Sequence, residues 1–358
     1  MEAELAVSEV DSLDNKSLEN GSGEASVNTS LTKPTPGRKN NRGVLSKYGI
    51  VFAWAIEILI FAFIEPSSFF TASNLKEIAS SQSDLVILAL AVVPTLAVGE
   101  VDLSIASVMA LSATLFGRLN GVDHWGVAAA LAVAVAASLL TGLVSGLITV
   151  YLRVRGIIVT LGMGTFVLGI TVEVSHSLTV GGISLAVQKA MNDQLGGISY
   201  SFYYALILVV ILWYLFRHTP AGRWMLFLGF NREVARLSGI NVSRLRLAAF
   251  VIGSFVAGLA GIVAIGIAGG ADPTSFQPLL LPAFAATFLG SLIFTPGRVN
   301  AFGSMVALYF LATGVVGIQL LGVGSWIDDA FYGGALVVTV ALSGISEILG
   351  LRVRKGSS

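Results

Sequence analysis

The 358-residue sequence has no cysteine, only three histidines, and a charged fraction of 12%. Without cysteine there are no disulfides, no thiolate catalysis and no Cys-based metal or cluster sites. His124, His176 and His218 lie on different segments and make no metal constellation. Glu173 and His176 form one Glu-x-x-His pair at helical spacing, whereas a carboxylate-bridged metal site needs two such pairs and further carboxylates. No Gly-x-x-x-x-Gly-Lys-Ser/Thr loop is present to cradle nucleotide phosphates. ATP hydrolysis, if it drives this protein, belongs to another chain. No nucleophile and base can be matched on neighbouring segments, which argues against an intramembrane enzyme.

The scarcity of charge has a counterpart in apolar content. Hydrophobic residues make up 55% of the chain and its mean hydropathy is +0.84, whereas roughly a quarter of the residues of a soluble domain are charged. The apolar residues come in blocks of about 16 to 25, the length that spans the hydrocarbon as helix. They do not alternate with period two, as the strands of a membrane barrel do. The fold class is therefore all-α, a polytopic membrane protein that has the lipid bilayer as its solvent. Nothing in it points to a nucleic-acid partner.

Apolar segments run over 49–65, 84–99, 103–118, 126–150, 157–176, 200–216, 247–268, 279–294, 299–320 and 330–350, which predicts about ten transmembrane helices. The connector Glu100-Val101-Asp102 is so short that 84–118 reads either as two spans or as one broken, re-entrant crossing. Residues 1–45 are first acidic, then rich in Ser, Asn and Gly, then basic; such a tail cannot bury a core and is expected to be disordered. It shows no secretory signal, so the first span is expected to target and anchor the chain. The expected plan is a tail at 1–45, a membrane domain at 46–352 and a short tail at 353–358.

Lys and Arg are retained on the cytoplasmic side. With the N-terminus inside, ten spans put on that side the N-terminal basic cluster, Arg153 and Arg155, an Arg-rich island over about 217–246, Arg298, and the tail Arg352, Arg354 and Lys355. Only Lys76, Arg118 and Lys189 fall outside. The segregation predicts an even number of spans with both termini cytoplasmic. Two halves of five spans would make an inverted repeat, although the residues show no self-similarity.

Within the island, Asn231 suits the N-cap of a short helix, Glu233 has the favourable sign in its first turn and Arg236 near its end, and Gly239 suits the stop. Val234 and Leu237 give an apolar edge, Arg232 and Arg236 a basic one. Here Gly229, Asn231, Ala235, Ser238, Gly239, Ile240 and Val242 match the pattern Gly-Asn-Asn-x-x-Ala-Ala-x-x-Ser-Gly-Ile-x-Val. The segment thus resembles the cytoplasmic loop of the membrane-spanning permeases of ABC importers for simple sugars of the ribose, xylose or arabinose type. Phe230 and Val234 depart from it. The resemblance implies that Gly229, Asn231, Arg232, Glu233, Ala235, Arg236, Ser238 and Gly239 belong to a coupling helix held by the ATPase subunit.

A second motif, Gly99-Glu100-Val101-Asp102-Leu103-Ser104-Ile105-Ala106-Ser107, is similar to the Gly-Gly-Ile-Asp-Leu-Ser-Val-Gly-Ser signature of these permeases, with Glu100 and Ala106 where the family usually has glycine. An acidic pair between apolar runs belongs at the interface or on a wet path. Asp102 is placed to cap 103–118 through the N–H of Ser104 or Ile105. Ile157-Ile158-Val159-Thr160-Leu161-Gly162 is similar to the family's Phe-Ile-Val-Thr-Leu-Gly, and Gly162 and Gly164 suit close helix packing. Gly99, Asp102, Leu103, Ser104, Thr160 and Gly162 are the candidate path residues. Glu57, in mid-span, is expected to face a neighbouring helix. Pro296-Gly297-Arg298-Val299 and Leu321-Gly322-Val323-Gly324-Ser325 extend the resemblance over nearly the whole chain after residue 45.

The resemblance implies a permease subunit in the bacterial plasma (inner) membrane that gives a monosaccharide or similar small polar solute its path. It implies ABC ATPase subunits holding the ATP and Mg, no cofactor in this chain, an extracytoplasmic solute-binding protein, and a second permease copy or homologue. The alternatives are an ABC permease for a nucleoside or branched-chain amino acid, and an ion-coupled secondary transporter using Glu57, Glu100, Asp102 and Glu173.

Overall fold

Every apolar segment of the sequence is helical in the computed structural model, which describes residues 42–295 and 297–355. The tail up to residue 41, Pro296 and residues 356–358 lie outside the described residues. In chain order the helices are α1 (Arg42–Ile64), α2 (Ala72–Ser81), α3 (Ser83–Ala97), α4 (Ile105–Phe116), α5 (Val127–Tyr151), α6 (Gly156–Val174), α7 (Leu185–Asn192), α8 (Tyr200–His218), α9 (Pro220–Phe230), α10 (Arg232–Leu237), α11 (Val242–Ala268), α12 (Leu280–Gly290), α13 (Ala301–Leu320) and α14 (Trp326–Lys355). A π turn at Gly117–Val122 extends α4, and the strands β1 (Val180–Gly181), β2 (Gln194–Leu195), β3 (Ile198–Ser199) and β4 (Gly270–Ala271) have two residues each.

Among the described residues, 6 helices are long and apolar enough to cross a membrane: Ile105–Val122, α5, α6, α8, α11 and α13. Helices α2 and α3, bent by 42° at Gln82, pass the same test as one span, and the apolar stretches Tyr48–Ile64 and Gln277–Gly290 are shorter. The bend thus falls before α3, where the sequence shows only a loop. The segment 84–118 forms two helices separated at 98–104.

Helix α11 is the centre of the bundle, packed on α3, α4 and α5. The approach to α5 is close because small residues face each other: a Cβ on Gly142 would lie 2.6 Å from Ser254, and one on Gly258 would collide with Ser138. Without a hydrophobic force between helices in lipid, such backbone proximity supplies the dispersion that holds them together. Over the most apolar 18-residue stretches of α5, α6 and α8 only 28%, 22% and 33% of the residues are buried, so these helices present apolar faces outward.

At one end of the bundle β1 pairs antiparallel with β4, Val180 opposite Ala271. The Asn120 Oδ1 accepts the Ser184 N–H at 2.8 Å and the Asn192 Nδ2 donates to the Gly266 carbonyl at 3.1 Å. The opposite end gathers the break at 98–104, the start of α6, and α9, α10 and the start of α11 around Arg153, Arg155, Arg232 and Arg246.

Candidate functional site

Helix α3 stops at Gly99. The Gly99 N–H bonds back to Leu96 O at 3.0 Å and the Glu100 N–H to Thr95 O at 2.9 Å, with Gly99 at φ 74. This double closure needs a left-handed residue at its turn, which glycine adopts without steric cost. Helix α10 ends the same way: Gly239 (φ 78) bonds to Arg236 O at 3.1 Å and Ile240 to Ala235 O at 3.2 Å. Its start is the expected cap, the Asn231 Oδ1 accepting from the N–H groups of Glu233 (3.1 Å) and Val234 (3.0 Å).

Asp102 is fully buried in the break, outside both helices. Its Oδ1 accepts the Ser104 N–H at 2.9 Å and the Ser104 hydroxyl at 2.6 Å, while Oδ2 is buried without a hydrogen-bond partner. Burial pushes this carboxyl above the usual carboxylate range, against the lowering effect of the two bonds from Ser104. Thr160 of α6 closes the break from the side: its Oγ1 accepts the Leu103 N–H at 3.0 Å and lies 3.4 Å from Val101 O. Irregular backbone is thereby satisfied by a neighbouring helix, the condition for its survival in a bundle.

Gly99, Asp102, Leu103, Ser104 and Thr160 therefore come together. Gly162 does not join them, since a Cβ there would meet nothing within 4 Å. The contact expected of it is made by Gly164, whose Cβ would lie 3.4 Å from Ser104 Cα and 3.3 Å from Ser107 Oγ. Gln277, which nothing in the sequence singles out, donates from Nε2 to Ser107 Oγ at 3.0 Å. Glu57 faces α13, its Oε1 against Gly314 and its Oε2 buried and unpartnered.

The extra carboxylate of the motif, Glu100, has a definite place. Its Oε1 accepts from Arg232 Nη2 at 2.7 Å and from Arg246 at 2.7 Å through Nη2 and 2.9 Å through Nε. The Glu100 side chain is 9% exposed, Arg246 13% and Arg232 49%. One carboxylate oxygen thus ties the first residue of α10 and the first turns of α11 to the break. Close backbone approach reinforces the tie: a Cβ on Gly99 would lie 3.8 Å from Gly229 of α9, and a Cβ on Gly229 would collide with Ala97 O.

Helix α9 is a second helix in the island, ahead of the capped one. Thr219 caps it through the Gly222 N–H at 3.1 Å, with Pro220 at the position where a missing N–H costs nothing. On α10, Ala235 is buried, Val234 and Leu237 are 44% and 77% exposed, and Glu233 pairs with Arg236 at 2.6 Å. The Ser238 hydroxyl donates to Val234 O at 2.9 Å. The helix is thus held from beneath and shows an apolar edge outward. Among the described residues no group of His, Cys, Asp and Glu is arranged to hold a metal.

The profile of a family described as the permease component of branched-chain amino acid transport systems matches residues 74–340. The chain belongs to this permease family. It is a transport subunit and not an enzyme. The permease is 30% identical over 298 residues to the D-allose transport system permease protein AlsC of Escherichia coli (strain K12), covering 83% of this chain and 91% of that one. It is 29% identical over 304 residues to the ribose import permease protein RbsC of Bacillus subtilis (strain 168), covering 84% and 93%. To the L-arabinose ABC transporter permease protein AraH of Azospirillum brasilense it is 28% identical over 302 residues, covering 83% and 87%. The resemblance to permeases of simple-sugar ABC importers is borne out by these relatives. No solved structure matches the permease.

Proposed function

We propose that this permease gives a monosaccharide or similar small polar solute its path across the plasma membrane, as one subunit of an ATP-driven importer. ATPase subunits, which hold the ATP and Mg, grip α10 by the Val234 and Leu237 edge. A solute-binding protein delivers the solute at the opposite end of the bundle, and a second permease copy or homologue completes the path. The arginine end and both termini then lie in the cytoplasm, in keeping with retention of positive charge on that side. The path candidates are Asp102, Ser104 and Thr160, with Gln277 added by its bond to Ser107.

The observation that carries this reading is the double ion pair of Glu100, which ties the helix offered to the ATPase to the break that holds Asp102. A displacement of α10 is thereby felt at the break, and the differential contacts of two such arrangements are what a partner's ATP cycle can bias. The sugar assignment rests on the relatives, which are named for D-allose, ribose and L-arabinose over most of this chain.

The test is uptake by vesicles holding the permease with its ATPase and binding protein, offered D-allose, ribose, L-arabinose and leucine with ATP inside. A sugar is expected to accumulate, with Val234→Asp/Leu237→Asp abolishing both uptake and ATPase co-purification. Uptake that survives ATP depletion and collapses with an ionophore would establish an ion-coupled transporter instead, and accumulation of leucine alone would overturn the sugar assignment.

A further inference from the structure

The turn at Thr219 sends α9 along the surface of the bundle. On its outer side Trp224, Phe227 and Phe230 are 50%, 41% and 58% exposed. Large aromatics left outside beside Arg223 mark a helix at the boundary between hydrocarbon and headgroups, where an apolar body and a charged neighbour are both satisfied. Behind this helix, between α8, α9 and the loop leading into α13, is a cavity of about 550 Å³. Trp213, Phe216 and Phe302 give it an apolar wall, and Arg217, Arg223 and Arg298 supply its charge.

Those three arginines have no carboxylate partner among the described residues. Among the described residues, Glu100 is engaged with Arg232 and Arg246, Glu233 with Arg236, and Asp102 with Ser104. Arg298 lies over the Phe230 ring, 4.8 Å from its centroid, a contact that orients a guanidinium without neutralising it. Retention of positive charge accounts for arginines on this side, but it does not require three of them around one aromatic-walled cavity.

We infer that this cavity binds an anionic phospholipid of the adjoining leaflet, its phosphate among Arg217, Arg223 and Arg298 and its upper acyl chain against Trp213, Phe216 and Phe302. Basic pockets between membrane helices take such headgroups. A soluble phosphate would leave the apolar wall unused, and a zwitterionic lipid brings no net charge for three guanidinium groups. The site lies one helix away from α10, so its occupant also braces the segment that precedes the docking helix.

The permease, purified in mild detergent, is tested by native mass spectrometry with phosphatidylglycerol, phosphatidylcholine or glycerol phosphate. Each basic residue near an anionic headgroup contributes roughly fivefold, so wild type is expected to retain phosphatidylglycerol about a hundredfold better than Arg217→Ala/Arg223→Ala/Arg298→Ala. The corresponding Lys variant, which restores charge, is expected to regain most of that retention and shows that loss is not misfolding. Arg153→Ala/Arg155→Ala/Arg244→Ala, at the same end, is expected to bind like wild type. Equal retention of phosphatidylcholine, equal loss in the two Ala triples, or displacement of phosphatidylglycerol by glycerol phosphate at matched concentration would each overturn the assignment.

Discussion

Replacing Glu100 with Gln changes the charge of one side chain and little of its shape, which isolates the role of the double ion pair. Arg246, 13% exposed, is then left without a counter-charge, and Arg232, 49% exposed, loses a partner that water largely replaces. Removing one member of a buried pair costs about 3 to 5 kcal/mol; because Arg246 is not fully dry, about 3 kcal/mol is the expected loss at that arm. The Arg232 arm contributes under about 1 kcal/mol. The expected order of destabilisation is therefore Glu100→Gln and Arg246→Gln together at the top, with Arg232→Gln well below. The double variant Glu100→Gln/Arg246→Gln removes both charges and is expected to return to within about 1 kcal/mol of wild type, a coupling that a double-mutant cycle reads directly.

Stability is followed by denaturant unfolding of the purified permease in detergent, and function by ATP-driven uptake in vesicles with the ATPase subunits. If the pair also transmits movement of α10 to the break, restoring stability does not restore transport. Uptake by the double variant then stays reduced by about tenfold, within the usual range of coupling energies. Additive destabilisation of the two single variants would refute the ion-pair account. Wild-type uptake by the double variant would reduce Glu100 to a structural brace.

Gly229→Ala puts a Cβ onto Ala97 O, whereas Gly162→Ala meets nothing within 4 Å. The first is expected to cost about 1 to 3 kcal/mol and to lower the yield of folded protein in membranes, and the second to be silent in the same assay. Thr160→Val keeps the shape but leaves the Leu103 N–H without its acceptor, a loss of about 1 to 3 kcal/mol, measured as lowered unfolding stability and uptake. Asp102, whose carboxyl is raised by burial, is more stably buried neutral than ionised. Its stabilising contribution is complete at pH below the usual carboxylate value, about 3.9, and is lost as pH rises through the raised one. Asp102→Asn, which keeps the Oδ1 acceptor, is thus expected to be more stable than wild type at neutral pH, with the gain vanishing in acid. Unfolding midpoints across pH check the sign.

Much of this was legible without coordinates because it is local. Runs of apolar residues of bilayer length become helices whatever surrounds them, since only internal hydrogen bonding satisfies a backbone in lipid. The start and stop of α10 depend on Asn231 and Gly239 within a span of a few residues, and Asp102 holds Ser104, the residue that precedes α4, two positions on. The helix α9 could also have been read from Thr219-Pro220, a cap followed by a proline at the first helical position.

The bend between α2 and α3 and the identity of the packing glycine had no such signal. Gly162 and Gly164 are equivalent in sequence, and which of them meets α4 is a matter of helix rotation in the bundle. Glu100 is the clearest case. In the sequence it stands where the family usually has glycine, with no partner in sight; its partners lie 132 and 146 positions away. A negative charge is costly to bury unless cations reach it, and only the packing of α9 and α11 against the end of α3 brings Arg232 and Arg246 there. The residues by themselves determined the spans and the capped helix; the tertiary structure decided what joins that helix to the break, because charge pairing acts across space and not along the chain.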